Sequence, residues 1–133
     1  MSKFAQGTNV PVSRSQQKIA EAIKRYGAHG FMVGEDGKKA FIAFLYKQWQ
    51  VRMEIPLSSN ETETRRRYRV LLLTVKAKFE VLACGLKTFE EEFLSDIVMP
   101  DGNRLSTHAV PALIAAQESG RMPQKLLPML EVD

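Results

Sequence analysis

The stretch FMVGEDGKKAFIAFLYKQWQVRMEIPL, residues 31–57, decides the fold, because its polar residues divide it into three apolar runs of strand length. Phe31, Met32 and Val33 are followed by Glu35, Asp36, Gly37 and Lys38, and an Asp-Gly pair between two apolar runs is the pattern of a tight hairpin turn. Ala40 to Tyr46 form the second run. After Lys47 and Gln48, Val51, Met53 and Ile55 face one way and Arg52 and Glu54 the other, until Pro56 ends the run. A three-stranded antiparallel meander follows. Its middle strand puts Phe41, Ala43 and Leu45 on one face and Ile42, Phe44 and Tyr46 on the other, so both faces read as buried. The chain's helices can cover one face. The other asks for the C-terminal segment or a second subunit, and self-association into a homo-oligomer is expected.

Toward the N-terminus, Ile19, Ala22, Ile23 and Tyr26 mark one face of a helix over residues 14–26. Ser13 and Gln16 have capping-box spacing, and Gly27 supplies a left-handed stop. Residues 1–12 lack periodicity and read as a flexible arm. Toward the C-terminus, residues 57–60 form a linker, and Thr62 or Thr64 caps a long helix that runs to about Gly85. Two apolar stripes run along it. One carries Tyr68, Leu71, Leu72, Val75, Phe79, Leu82 and Leu86, the other Val70, Leu73, Ala77, Val81 and Cys84, which implies two neighbours. Thr88 with Glu91 starts another helix, and Pro100, Asp101, Gly102 and Asn103 make a turn. A last helix starts at Thr107 with Pro111 and ends at Gly120, and the proline-broken tail, residues 121–133, is expected to dock in extended form. The fold class is α+β, in one domain over residues 1–133.

The chain carries 19 lysines and arginines against 15 acidic residues, a net charge of +4. That bias is compatible with nucleic acid, and its distribution is more informative than its sum. Residues 1–28 hold Lys3, Arg14, Lys18, Lys24 and Arg25 against Glu21, whereas residues 87–101 hold five carboxylates against Lys87. The lone cysteine, Cys84, excludes an internal disulfide and reads as a packed thiol in a reducing compartment. No apolar run reaches membrane-spanning length, so a soluble cytoplasmic protein is expected, without a membrane partner.

The main functional signal lies on the long helix. Arg65, Arg66, Arg67 and Arg69 fall in its first half, at the end where the helix dipole disfavours cations, and Lys76 and Lys78 follow them. Arg65, Arg69 and Lys76 occupy one polar seam between the apolar stripes, and Arg67, Thr74 and Lys78 the other. Such seams line a groove for an anionic partner, or carry solvated charges paired with Glu61, Glu63 and Glu80. Trp49 between Lys47 and Arg52 has the composition of a base-stacking site, and also that of a core anchor. If Lys38, Lys39, Lys47 and Arg52 adjoin the arginines, sheet and helix make one basic track. His29 and His108 stand outside any nucleophile motif, and three consecutive glutamates, Glu90 to Glu92, point in different directions on a helix. No catalytic residue, metal ligand or cofactor is assigned.

The blocks Arg25-Tyr26-Gly27-Ala28, Lys76-Ala77-Lys78-Phe79-Glu80, Phe89-Glu90-Glu91-Glu92-Phe93-Leu94, Pro100-Asp101-Gly102 and Gly120-Arg121-Met122-Pro123 resemble those of a family of small bacteriophage and prophage proteins, along nearly the whole chain. The resemblance implies a phage setting and supplies no active site. The succession of helix, meander and long helix is also loosely similar to part of the core of single-strand annealing proteins, in which a sheet and a helix frame a basic groove in an oligomeric ring. The expected function is non-enzymatic binding of nucleic acid, single-stranded DNA above all, in recombination or replication, with Lys47, Trp49, Arg52, Arg65, Arg66, Arg67, Arg69, Lys76 and Lys78 as contacts. The alternative is an inhibitor of a host defence complex whose arginines pair with carboxylates of a host protein.

Overall fold

Asp36 closes the first hairpin. Its carboxylate accepts the backbone N–H groups of Lys38 at 3.0 Å and Lys39 at 2.8 Å, and Gly37 takes the left-handed conformation with φ at 90°. Those backbone donors, Lys39's first, hold the Asp36 carboxyl below its ordinary range. The turn joins β1 (His29–Glu35) to β2 (Lys39–Tyr46), and a second turn with Lys47 at φ 52° joins β2 to β3 (Trp49–Pro56). The order β1-β2-β3 is the expected antiparallel meander. In the register, Ala40 lies opposite Ile55, Ile42 opposite Met53 and Phe44 opposite Val51, so the apolar side chains of β2 and β3 meet on one inner face.

Two helices cover that face: α1 (Val12–Arg25) with Ile19, Ala22 and Ile23, and α2 (Glu61–Ala83) with Tyr68, Leu71, Leu72, Val75 and Phe79. A short α3 (Phe89–Phe93) adds Phe89 and Phe93, a 3-10 turn (Leu94–Asp96) follows, and α4 (Leu105–Ser119) ends the fold. The α+β class is as expected. The computed structural model describes residues 11–123. Among the described residues no helix is long and apolar enough to cross a membrane.

The centre of the core is aromatic. Phe79 of α2 meets Phe44 of β2 at 6.0 Å between ring centroids, Phe93 at 5.2 Å and the stacked Tyr26 ring at 4.9 Å. Phe89 extends the cluster by stacking on both Phe93 and Tyr46. These contacts combine aromatic packing with burial of large apolar area, and they tie strand to helices at one point.

Several boundaries differ from those read in the sequence. The first helix starts at Val12, with Pro11 as an N-cap that makes no side-chain bond, so Ser13 lies within the first turn instead of capping it. Asn60, not a threonine, caps α2, accepting the N–H groups of Thr62 and Glu63, while the Thr64 hydroxyl bonds to Ser58. Leu86 does not join the core stripe. Gly85 at φ 73° turns the chain away after Ala83, leaving Leu86 74% exposed. Cys84 is exposed as well, because the second stripe of α2 points away from the core. The last helix begins at Leu105, with Pro111 inside it at an exposed position, where the ring forfeits one helical hydrogen bond. That earlier start is fixed by Leu105, whose N–H donates to the Ile97 carbonyl at 2.8 Å.

The outer face of β2 is less covered than expected. Ala43 is buried, but Phe41 is half-buried and Leu45 is exposed. Phe41 lies across Gly34 of β1, where a β-carbon would fall inside contact distance of the ring. The C-terminal segment flanks the sheet at the β3 edge, where Val98 donates to the Gln50 carbonyl at 2.8 Å. The arm expected over residues 1–12 falls, for residues 1–10, outside the described residues, as do residues 124–133 of the expected tail.

Truncating the central ring tests this account of the core. Phe79→Ala is expected to cost about 3–5 kcal/mol in denaturant unfolding. Leu86→Ala is expected to stay within about 0.5 kcal/mol of the parent chain.

Candidate nucleic-acid interface

Two glutamates neutralise most of the arginine run. Glu61 and Glu63 sit in the first turn of α2, where negative charge suits the helix dipole and where i,i+3 and i,i+4 spacing brings them to the arginines that follow. Glu61 pairs with Arg65 at 3.2 Å, and Glu63 with Arg66 at 3.2 Å and Arg67 at 3.4 Å. Arg67 also donates to the Pro56 carbonyl at 2.7 Å, which fixes the end of β3 to α2. In the second half of the helix, Lys78 lies 2.9 Å from Glu92 of α3, donates to the Glu92 carbonyl, and sits over the Phe93 ring. That hydrogen bond holds the Glu92 carboxyl below its ordinary range despite partial burial.

The sheet residues are engaged elsewhere. Trp49 opens β3 opposite Tyr46, packs against the core, and donates its indole N–H to Glu90 at 2.7 Å. Tyr46 is stacked on Phe89, and Lys47 lies over the Tyr46 ring. Arg52 points to the outer face of the sheet, where it donates to the Gly102 carbonyl at 3.0 Å and pairs with Glu54. Glu54 also receives Lys39 at 3.3 Å and Arg104 at 3.2 Å, and Arg104 reaches on to Asp96 at 2.9 Å. Burial alone would raise the Glu54 carboxyl, but Arg104, Lys39 and Arg52 outweigh it and hold it below its ordinary range. This cluster fastens the segment before α4 to β3. His108 adds a contact with Asp101 at 2.7 Å across the same turn.

Of the nine residues named from the sequence, Arg52, Arg65, Arg66, Arg67 and Lys78 are each paired with a carboxylate of the chain, Trp49 is bonded to Glu90, and Lys47 lies over the Tyr46 ring. Arg69 and Lys76 remain. They stand two helical turns apart on one row of α2, and neither has a carboxylate within ion-pair distance among the described residues. Their row faces α1. Lys76 shares a groove of about 360 Å3 with Lys18, Arg25, Glu21, Tyr26 and Glu80. A second shallow groove, lined by Arg14, Gln17, Lys18 and Glu21, continues from it along α1.

Across the two grooves four cations face two carboxylates. One of those carboxylates is occupied, since Glu80 accepts the Tyr26 hydroxyl at 2.7 Å; that bond raises the phenol pKa and keeps the proton in place. Arg14, Lys18 and Arg25 have no ion pair among the described residues either. The sequence signal for this surface was the spacing 14, 18, 25, which places three cations on one helical row beside the buried Ser15, Ile19 and Ala22. Among the described residues no group of three His, Cys, Asp or Glu side chains is placed to hold a metal ion. No family model, curated protein or solved structure matches the chain.

The charge cluster on the outer sheet face has a signed pH dependence. With folded-state values below the ordinary glutamate value of 4.5, Glu54 and Glu92 contribute stability that is present above that pH and lost as pH falls through their folded-state values. Glu54→Gln leaves Arg52, Arg104 and Lys39 facing one another and is expected to cost about 1–3 kcal/mol at pH 7. Thermal unfolding from pH 7 to pH 3 checks it, and the difference between variant and parent should shrink below pH 4.5.

Proposed function

We propose that the protein is a non-catalytic nucleic-acid-binding protein whose contact surface is the seam between α1 and α2, with single-stranded DNA in phage recombination or replication as the favoured ligand. The observation that carries this reading is the concentration of cations without an ion-pair partner among the described residues, Arg14, Lys18, Arg25 and Lys76 in the two grooves with Arg69 two turns before Lys76 on α2, while the cations elsewhere on α2 are matched by carboxylates. Unmatched cations in a row attract a polyanion and release its counterions, which gives affinity without base selectivity. Packed helices lie about 8–10 Å apart, so the seam accepts the backbone of a flexible strand along its length. A duplex meets it only where a phosphate ridge crosses. Trp49 and Tyr46 are held by Glu90 and Phe89, so binding on this reading is led by phosphate and not by base stacking.

A second reading, an inhibitor that occupies a surface of a host defence complex, is favoured by one observation. Val70, Leu73 and Ala77 form an exposed apolar stripe on the side of α2 opposite the core, which a phosphate backbone does not need.

Fluorescence anisotropy with labelled single-stranded and duplex oligonucleotides over a salt series tests the main reading. The parent chain should bind the single strand more tightly, with affinity falling steeply as salt rises. Lys18→Glu with Arg25→Glu is expected to weaken binding at least about tenfold and flatten the salt slope, whereas Arg66→Glu leaves both nearly unchanged. Equal loss from all these changes, or none from the α1 pair, contradicts it. A stoichiometric host protein retained on the chain after nuclease treatment, with no oligonucleotide binding, supports the second reading.

A further inference from the structure

Tyr26 stands at the C-terminal end of the α1 row. It caps α1, and its ring crosses to α2, where it stacks on Phe79 with centroids 4.9 Å apart and planes 8° apart, while its hydroxyl donates to Glu80 at 2.7 Å. Ring and hydroxyl are both fixed, which leaves little side-chain entropy to lose on binding. The residue is half-buried and lines the same groove as Lys18, Arg25 and Lys76. Tyr46 on the sheet has a different setting, with Phe89 stacked on it and Lys47 over its ring. Among the described residues Phe79 is the one ring stacked on Tyr26, and no cation lies over it.

We propose that Tyr26 is a stacking platform for one unpaired base of a strand held in the seam, and that it is the residue which makes the seam prefer single strands to duplex. The inference rests on the nucleic-acid reading of the seam given above. Cations alone attract the phosphates of single strands and duplexes alike, so they supply affinity without this preference. A base lies flat on a ring only when it is unpaired and unstacked, and such stacking tolerates any sequence because every base has a π-face. In a duplex both faces of a base are covered by its neighbours, and uncovering one costs unstacking energy. Phe79 backs one face of the Tyr26 ring, so the groove side is the face left for a base. The cations are placed to act with it. Arg25 is the adjacent residue, and Lys18 and Lys76 line the groove from α1 and α2, so phosphates that flank the stacked base meet positive charge. The phenol stays neutral, since its bond to Glu80 raises its pKa, and a neutral hydroxyl does not repel the backbone. Phosphate contacts still supply most of the affinity.

Fluorescence anisotropy of the full chain with labelled oligothymidylate and with an abasic strand of equal length separates stacking from phosphate binding, because both strands carry the same phosphates. The parent chain should hold oligothymidylate at least about fivefold more tightly, the contribution of one stacked base. Tyr26→Leu should remove that difference, and with it the preference over duplex, while the affinity for the abasic strand and its salt slope stay unchanged. Tyr26→Phe should retain the difference. Photocrosslinking of the parent chain to a strand with iodouracil at one position, read by mass spectrometry, should place the link on Tyr26 and needs no variant to fold. Equal affinity of the parent for the two strands, a difference kept by Tyr26→Leu, or a link only on Trp49 or Tyr46 overturns the proposal. So does an equal loss of both strands from a folded Tyr26→Leu chain, because the ring then only supports Phe79. Loss of both strands on Lys18→Glu with Arg25→Glu shows that the seam reading stands whichever of these outcomes is found, whereas a parent chain that binds neither strand overturns both.

Discussion

The burial of the inner face of β2 beneath Phe79 is the constraint on which the remaining structure rests. Phe44 cannot leave water unless a helix crosses it, and Phe79 fills that place with Tyr26 on one side and Phe93 on the other. Once Phe79 is fixed, α2 has a single rotation about its axis. Tyr68, Leu71, Leu72 and Val75 then face the sheet, and Val70, Leu73 and Ala77 face away. The same rotation sends Lys78 toward α3 and Lys76 toward α1. The chemistry of the surface thus follows from the packing of one ring.

The strands and their turns were legible because each rests on local rules. Alternation in residues 49–55, the Asp-Gly turn and the stop at Gly27 depend on neighbours in sequence, and all three are present. Thr88 with Glu91 forms the capping box its spacing implies. The misreadings came where two local signals competed. Asn60 and Thr62 are both good caps, and Asn60 prevails because its side chain reaches two free N–H groups while Thr64 is taken by Ser58. Pro111 suggested a helix start, but the bond from Leu105 to Ile97 starts α4 earlier. Leu86 matched the helical period, yet the period ends at Ala83.

The candidate site was legible in part. Pairing of Arg65 and Arg67 with Glu61 and Glu63 is written into i,i+4 spacing, so partial neutralisation of the run could be read directly. Pairing of Lys78 with Glu92, and of Arg52 with Glu54 and the remote Gly102, depends on how distant segments fold together, and no spacing announces it. The row Arg14, Lys18, Arg25 had a visible period and an excess of positive charge in residues 1–28. The density of the arginines on α2 drew the reading away from it, although dense charge flanked by carboxylates is more often self-neutralised than available.

On the function proposed above, polyanions bind at the α1–α2 seam, where cations have no ion-pair partner among the described residues, and not where cations are most numerous. Backbone amide NMR with a short single-stranded oligonucleotide locates the contact residue by residue. Shift changes are expected to be confined to the α1 row of Arg14, Lys18 and Arg25 and to the neighbourhood of Arg69 and Lys76. Changes centred instead on residues 61–67 and on β3, or no changes at oligonucleotide excess, would contradict it.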